Sequence, residues 1–482
     1  MLHFMYLQQA SRSATRDPTP REFGLRLLAP IACLLLFAFI AASGHMTALH
    51  AGEPVPVGKT TSMQLANGLQ IVVVEDHRLP VATHMVWYKV GAIDDPQGSS
   101  GLAHLLEHLM FKSFDAEADE TFAQTMSRLG AIDNALTAHD YTYFFQRVAK
   151  EHLPKVMAIE ARRMSGLTLT KEQVTTERDV VREERRSVVE SDPLKLLTEQ
   201  VQATLYQNHN YGRSPIGWSH EIANLQQKDA VDFYEAYYSP GNAIVVIAGD
   251  VTPQEVRQLA AETYGPVPAG NAASRLRLRE PEPIAARRVE LIDRRVPRPT
   301  LFRYYLTPSY NTASPGQAES LEVLMAILGG GETSRMHRVL VNEQNAALAV
   351  GARYFGKGRD SGHLALFGLV GQNNKMEKFD DALDALLADV VENGVTEEEL
   401  TRAKAAIEAR LVFEKDNQMK LATSIAEALV VGRSIDDITA LPDRLAAVTR
   451  ADVEKAAREF LVARRSVTGL MASPPRPKGT AQ

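Results

Sequence analysis

Two histidines four residues apart, with a glutamate directly before the second, occupy positions 104 to 108 of a 482-residue chain as His-Leu-Leu-Glu-His. On a helix, residues four apart differ by about 40° in direction and one turn in height. His104 and His108 then project side by side, and both imidazoles can reach one ion at the roughly 2 Å distance typical of zinc and nitrogen. Glu107 points about 100° round from His108. It can lie beside the ion without binding it, where a carboxylate takes a proton from an attacking water. Ordinary packing of two helix histidines is the plain alternative, and the pentapeptide alone leaves both readings open.

A catalytic zinc takes three protein ligands and one open position, so a third side chain is needed. The acid-rich run "TTERDVVREERRSVVE" supplies candidates. Most of such a run is a solvated face, but helical position separates its glutamates. Glu177, Val181, Glu184 and Val188 share one stripe, with Val174 and Val180 close by. Glu183 shares its stripe with Thr176, Asp179, Ser187 and Glu190, a water-facing set. Glu184 is therefore a carboxylate on an apolar face, which needs a partner to offset its burial, and a cation would supply one.

Elements of both periodicities must position these groups. "SMQLANGLQIVVVEDHRLPVATHMVWYKVGA" reads as a β-hairpin about Asn67-Gly68, with a second turn at His77–Pro80. Helical patterns follow from Gly101 to Ser113 and in "ETFAQTMSRLGA". "NALTAHDYTYFFQRV" alternates as a strand, Leu153 to Ser191 is mostly helical, and "NAIVVIAGDV" is a buried strand. A Pro/Gly/Ala/Arg-rich stretch then separates two halves. The second half again begins with strands ("RRVELID", "TLFRYYLTP") and continues with a helix over Ala318–Leu328, more strands and long helices. "LQQKDAVDFYEAYYSPGNAIVVIAG" from Leu225 and "VTRADVEKAAREFLVARRSVTGLMA" from Val448 match in pattern. Asp229 and Asp452 correspond, as do Tyr237 and Phe460, which points to duplication. The expected fold is α+β with two homologous domains, each a mostly antiparallel sheet flanked by helices. The expected boundaries are 52–267 for the first domain, 268–288 for a linker, 289–473 for a second domain without the metal site, and 474–482 for a disordered tail.

The N-terminus has a different character. Arg12, Arg16, Arg21 and Arg26 precede an apolar run from Leu27 to Ala42, and small residues follow. This reads as a signal peptide over about residues 1–51 and an exported, periplasmic protein, with an uncleaved anchor as the alternative. The only cysteine, Cys33, lies inside that run, so a cleaved chain would have neither disulfides nor cysteine chemistry. A net charge of −6 with dispersed basic residues leaves no nucleic-acid footprint.

His-x-x-E-H has the order of the inverzincin motif. Together with a glutamate 76 residues later and another acid seven residues before that one, it resembles the pitrilysin family of metallopeptidases. "GLAHLLEHLMFKS", "NALTAHDYTYF" and "ERDVVREERR" carry the resemblance, which extends from about residue 56 to 472 and is nearest to the short-chain branch with the mitochondrial processing peptidase. It implies that His104, His108 and Glu184 bind one Zn2+ per chain, that Glu107 is the base, and that Glu177 supports a ligand histidine. It also implies that a substrate peptide pairs as an added strand along Asn134, Ala135 and Thr137. His139, His152, His209 and His220 lack partners at ligand spacing and are expected to be surface or packing residues. "LGGGETSR" reads as a helix-ending turn, and "YGRSPIGW" resembles the family's structural turn near the site.

The chain departs from that family at one place. Longer or paired family members carry an Arg and a Tyr, seven residues apart, in the C-terminal half facing the zinc, where they bind the scissile peptide and help stabilise the oxyanion. Alignment on "VLVNEQNAALAV" puts Val341 and Leu348 there, and neither side chain can donate a hydrogen bond. The expectation is a zinc endopeptidase that needs a homologous partner chain carrying the Arg/Tyr pair, with a homodimer less favoured. The rivals are a non-catalytic structural subunit, against which the intact set His104, Glu107, His108 and Glu184 argues, and a processor dedicated to one precursor.

Overall fold

The computed structural model describes residues 59–112, 121–270, 274–371 and 375–474. The signal segment, the end of the 101–113 helical pattern and the final tail therefore lie outside the described residues, apart from Pro474. No helix among the described residues is long and apolar enough to cross a membrane.

Two sheets organise the molecule. The first contains β1 (Lys59–Gln64), β2 (Gln70–Glu75), β3 (Val81–Tyr88), β4 (Ile132–Thr137), β5 (Thr142–Ala149) and β6 (Ala243–Gly249), in the order β1-β2-β6-β3-β5-β4. The second contains β7 (Arg287–Ile292), β8 (Thr300–Thr307), β9 (Ala349–Phe355), β10 (Gly362–Leu369) and β11 (Ser466–Ala472), in the order β7-β11-β8-β10-β9. The topologies coincide once β1 is set aside. In each sheet one pair is parallel, β2 with β6 and β7 with β11, and the other pairs are antiparallel. The molecule thus consists of two homologous α+β domains.

The predicted hairpin about Asn67-Gly68 forms, with Lys59 opposite Glu75. A turn does follow β2, but β2 and β3 are not neighbours, because β6 lies between them. "NALTAHDYTYFFQRV" is two strands rather than one, since the chain reverses at Ala138–Tyr141 and returns as β5. The alternation continues through that turn, so periodicity alone could not reveal the reversal.

The helices used below are α1 (Leu102–Met110), α2 (Phe122–Arg128), α3 (Leu153–Ser165), α4 (Lys171–Arg185), α5 (Pro193–Leu205) and α6 (Gln227–Tyr237) in the first half. The second half contributes α7 (Gln317–Gly329), α8 (Met376–Asn393), α9 (Glu397–Asp416), α10 (Gln418–Val430) and α11 (Arg450–Phe460). The matched aspartates of the repeat have one local cause. Asp229 and Asp452 are the third residues of α6 and α11, where their side chains accept the N-cap N–H in a capping box.

Each half lends the other a helix. Ile71, Val73, Val86 and Val245 on one face of the first sheet pack with Leu105, Leu106 and Leu109 of α1. The opposite face, with Val72, Val74, Met85 and Trp87, is covered by Ala422, Ile425 and Ala426 of α10, from the second half. Reciprocally, Val467 and Met471 of the second sheet pack under Leu197, Val201 and Leu205 of α5, from the first half. Central strands buried on both faces favour near-continuous apolar runs, and "AIVVIAG" is such a run with all seven residues buried. Gly469 shows how closely α5 approaches, since a Cβ there would stand 2.4 Å from Val201 Cγ2.

The expected linker is a fastened strap rather than a loose tether, and strand β7 already begins inside its last two residues. Arg275 forms a two-pronged pair with Asp94 at 2.8 and 2.7 Å, Arg277 pairs with Asp360, and Glu280 accepts three N–H bonds from Gln207, Asn208 and His209.

Candidate metal centre

Helix α1 is the platform of the site. Its Leu102, Leu105, Leu106 and Leu109 are fully buried, and this packing fixes the rotation of the helix. At its C-terminal end the Arg163 guanidinium reaches the Met110 carbonyl at 3.5 Å, a placement favoured by the helix dipole. Arg163 is itself held by Glu160 and lies over the rings of Phe111, Phe122 and Phe144. Helix α4 packs against α1, starting from a capping box at Thr170 and Gln173.

The two helices bring His104, His108 and Glu184 together, with one ligand atom from each within 4.8 Å of the others. Glu184 Oε2 lies 3.3 Å from His108 Nε2 and 3.8 Å from His104 Nε2. Ligands bound tetrahedrally at about 2 Å stand roughly 3.3 Å apart, so the triad is close to the spacing that one zinc requires. Nε2 of each ring faces the centre. His104 Nδ1 is buried without a hydrogen-bond partner, whereas His108 Nδ1 faces Glu177 Oε2 at 3.5 Å. Glu177 is further held by Lys112 Nζ at 3.1 Å. The donor set of two imidazoles and a carboxylate suits zinc, so the residues fit the metal.

The electrostatics separate the two histidines. Burial, helped by the neighbouring His108, lowers His104 to about 4, which keeps it in the neutral form that binds metal. Burial also opposes the charged form of His108, but Glu184, Glu107 and Glu177 together raise it. The hydrogen bond to His108 holds Glu184 below the usual carboxylate range.

Glu107 stands apart from the triad. Its Oε2 accepts the Thr137 hydroxyl at 2.6 Å, from the last residue of β4. Burial pushes its carboxyl up to about 7, with the Thr137 bond acting in the opposite direction. Strand β4 is the outer edge of its sheet. Asn134 and Ala135 lie on that edge, and the Asn134 side chain already accepts the Ala135 N–H at 2.9 Å, a bond that an incoming strand must bypass or replace.

The glutamates of α4 separate by helix face as expected. Glu183 is exposed and paired with Arg186, while Glu177 is buried and Glu184 is part-buried. Val180, placed near the apolar stripe, is 45% exposed instead. His139 is half-buried and His209 buried, both as packing residues, bonded to the Arg213 carbonyl and the Tyr211 N–H respectively. Val341 and Leu348 present only apolar side chains, Val341 packed against the second core and Leu348 46% exposed. Sequence reasoning noticed Thr137 as part of a strand edge but not as the partner of Glu107. The signal was available, since a hydroxyl beside a buried carboxylate satisfies it at little cost.

The family model described as insulinase (peptidase family M16) matches residues 70–217, and the one described as peptidase M16 inactive domain matches residues 224–407. The chain belongs to peptidase family M16. The triad lies inside the first match, and the second match begins before α6 and so takes in α6 and β6 of the first half as well as much of the second. Among relatives of this M16 chain, the zinc protease PqqE of Helicobacter pylori is 28% identical over 93% of this chain and 99% of its own length. The crystal structure of a protease from Helicobacter pylori superposes with a TM-score of 0.79 at 28% identity, covering 86% of this chain and all of that one. The periplasmic protease PqqL from Escherichia coli has a TM-score of 0.74 at 21% identity, but there the match covers 87% of this chain and only 48% of the other.

Proposed function

We propose that this chain is a zinc-dependent endopeptidase for peptides or unfolded segments, and the metal-bearing subunit of a two-chain enzyme exported to the periplasm. One observation carries the peptidase reading. His104, His108 and Glu184 converge on one point while Glu107, beside a ligand in sequence, is held outside the triad by Thr137. Zinc bound there polarises a carbonyl oxygen and brings a water's pKa to about 7.

The chain's own groups do the rest. Thr137 occupies Glu107 Oε2 and leaves Oε1 to accept the proton of the attacking water. A carboxyl near 7 can accept that proton and later return it to the departing amine at neutral pH. Glu177 orients His108 through Nδ1. The free edge of β4 lets a peptide add as a strand, holding the scissile bond beside Glu107.

The two-chain reading rests on Val341 and Leu348, which give no oxyanion donor from the second half. Each such donor typically contributes about 100- to 1000-fold in rate. The longer PqqL chain, of which this one matches about half, illustrates a chain with room for further domains. Export rests on the arginine-flanked apolar run at Leu27–Ala42.

The test is metal analysis with peptide turnover by this chain alone, by a homologous partner carrying the Arg/Tyr pair, and by an equimolar mixture. One zinc per chain, weak turnover alone and restoration in the mixture are expected. A chain without zinc would end the peptidase reading, and full activity alone would end the two-chain reading.

A further inference from the structure

The N-terminal end of α1 is fastened from outside the helix. The first N–H groups of a helix have no partners within it, and the N-cap residue here is Gly101, at φ 88°, with no side chain to cap them. Asp95 takes that role from six residues upstream. Its Oδ2 accepts the Gly101 N–H and its Oδ1 the Ala103 N–H, both at 2.8 Å. The carboxylate is 3% exposed.

The segment carrying Asp95 is itself held. Its carbonyl accepts from Arg213 at 3.3 Å, and the preceding Asp94 makes the two-pronged pair with Arg275 of the strap. The backbone is also tightly enclosed. A Cβ at Gly101 would lie 2.6 Å from the Ile216 carbonyl oxygen, and one at Gly217 would lie 2.4 Å from that of Ser100. Glu221 accepts the Ser100 N–H at 2.7 Å.

We infer that Asp95 is a positioning residue for the metal centre, setting the axial position and rotation of the helix that presents His104, Glu107 and His108. The inference rests on the zinc reading of the triad. His104 follows directly after the Ala103 N–H that Asp95 holds, so a shift of the first turn is transmitted to a ligand within one residue. Both carboxylate oxygens are committed to this one turn, which fixes it at two points. Ligand orientation tolerates little error. Outer hydrogen-bond partners of a metal site typically account for about 10- to 100-fold in affinity, and a 1 Å misplacement can cost about 100-fold in rate.

The test compares Asp95→Asn with Glu280→Gln, a change at another carboxylate that receives backbone N–H groups but lies on the strap. Zinc affinity is read by competition with a chromophoric chelator, ligand geometry from the visible spectrum of the Co2+-substituted protein, and helix order from amide exchange over residues 102–110 in metal-free protein. Asp95→Asn should weaken zinc binding about 10- to 100-fold, alter the Co2+ spectrum, speed exchange in α1 and lower kcat with little change in KM. Glu280→Gln should leave all four near wild type. Asp95→Ala should go further, and if it does not fold, Asp95→Asn carries the test. Wild-type zinc affinity and spectrum in Asp95→Asn, or equal losses in Glu280→Gln, would overturn the positioning role while leaving the metal site standing. A wild-type chain that binds no zinc would instead remove the reading on which it rests.

Discussion

The two halves of this M16 chain use one framework and differ at the positions that decide the chemistry. Helices α1 and α7 both start from a left-handed glycine, Gly101 and Gly316. Three, six and seven residues later stand His104, Glu107 and His108 in the first half, and Glu319, Glu322 and Val323 in the second. Helices α4 and α9 both start from a threonine capping box, at Thr170 and Thr396. The same counting puts Ala403 and Arg410 where the first half has Glu177 and Glu184. The groups that correspond to base and third ligand are therefore joined to each other, Arg410 Nη2 to Glu322 Oε1 at 2.7 Å. Glu319, in the place of the first histidine, is taken by Arg444 at 2.8 Å. A carboxylate drawn partly out of water needs a compensating charge. The second half builds that cation into the chain as guanidinium, which closes the site. In the first half Glu184, at the place of Arg410, faces His104 and His108 instead, the arrangement proposed above as the zinc site.

The comparison breaks most visibly at the base. Glu107→Gln should retain zinc and lose roughly 100- to 10,000-fold in kcat, while Glu322→Gln at the corresponding place should leave kcat within about twofold. Measured rates with metal content decide this, and normal turnover in Glu107→Gln would remove the base. The third ligand comes next. Glu177→Gln should weaken zinc about 10- to 100-fold as the loss of a ligand's hydrogen-bond partner. Glu184→Gln should weaken it more, and Glu183→Gln not at all. Equal losses at 183 and 184 in a chelator titration would mean that the ligand is misassigned.

Acid should reach both halves. Burial holds His84 of β3 down to about 4 and His363 of β10 to about 3. Folded protein refuses a proton that the unfolded chain binds near 6.5. The stability these histidines provide is therefore complete above about pH 7 and declines as pH falls from about 6.5 through 4 or 3, by roughly 1.4 kcal/mol per unit for each. Urea unfolding at pH 7, 6 and 5 should show this slope, reduced by about one proton in either His84→Gln or His363→Gln. An unchanged slope in both variants would refute it. The smallest effect belongs to the closed site. Arg410 is half exposed, so Arg410→Gln should cost only about 0.5–1 kcal/mol, with zinc affinity unchanged. A larger loss of zinc than of stability would show that the two halves are not chemically independent.

The candidate site was legible because its ligands obey helix spacing. His104 and His108 lie one turn apart on one helix, and Glu184 differs from Glu183 in the face it occupies, which an apolar stripe reveals. The duplication was legible for a similar reason, since α6 and α11 keep the same capping aspartate and lead into equivalent strands. What stayed hidden depends on contacts between distant segments. Nothing local to "NALTAHDYTYFFQRV" announces a reversal at His139, because both strands of the pair alternate in the same phase. Nothing in "RLRLREPEP" distinguishes a loose tether from a strap whose arginines meet Asp94 and Asp360 in different halves. The capping of α1 by Asp95 crosses only six residues, but a buried acid with two backbone donors looks like any turn aspartate until the fold encloses it.

The exchange of helices between the halves also sets a timetable. Strand β6 ends at Gly249, whereas α10, which covers the far face of its sheet, begins at Gln418. A ribosome adding about 5–20 residues per second needs roughly 8–34 s to traverse that interval. Until then Val72, Val74, Met85 and Trp87 form a face with no cover of its own, and a chain stopped before Gln418 would keep it bare. The second sheet faces no such wait, because its cover, α5, is already made when its first strand emerges. Birth order thus makes unequal two halves whose architecture is nearly the same, and it is the half holding His104, His108 and Glu184 that must be shielded longest.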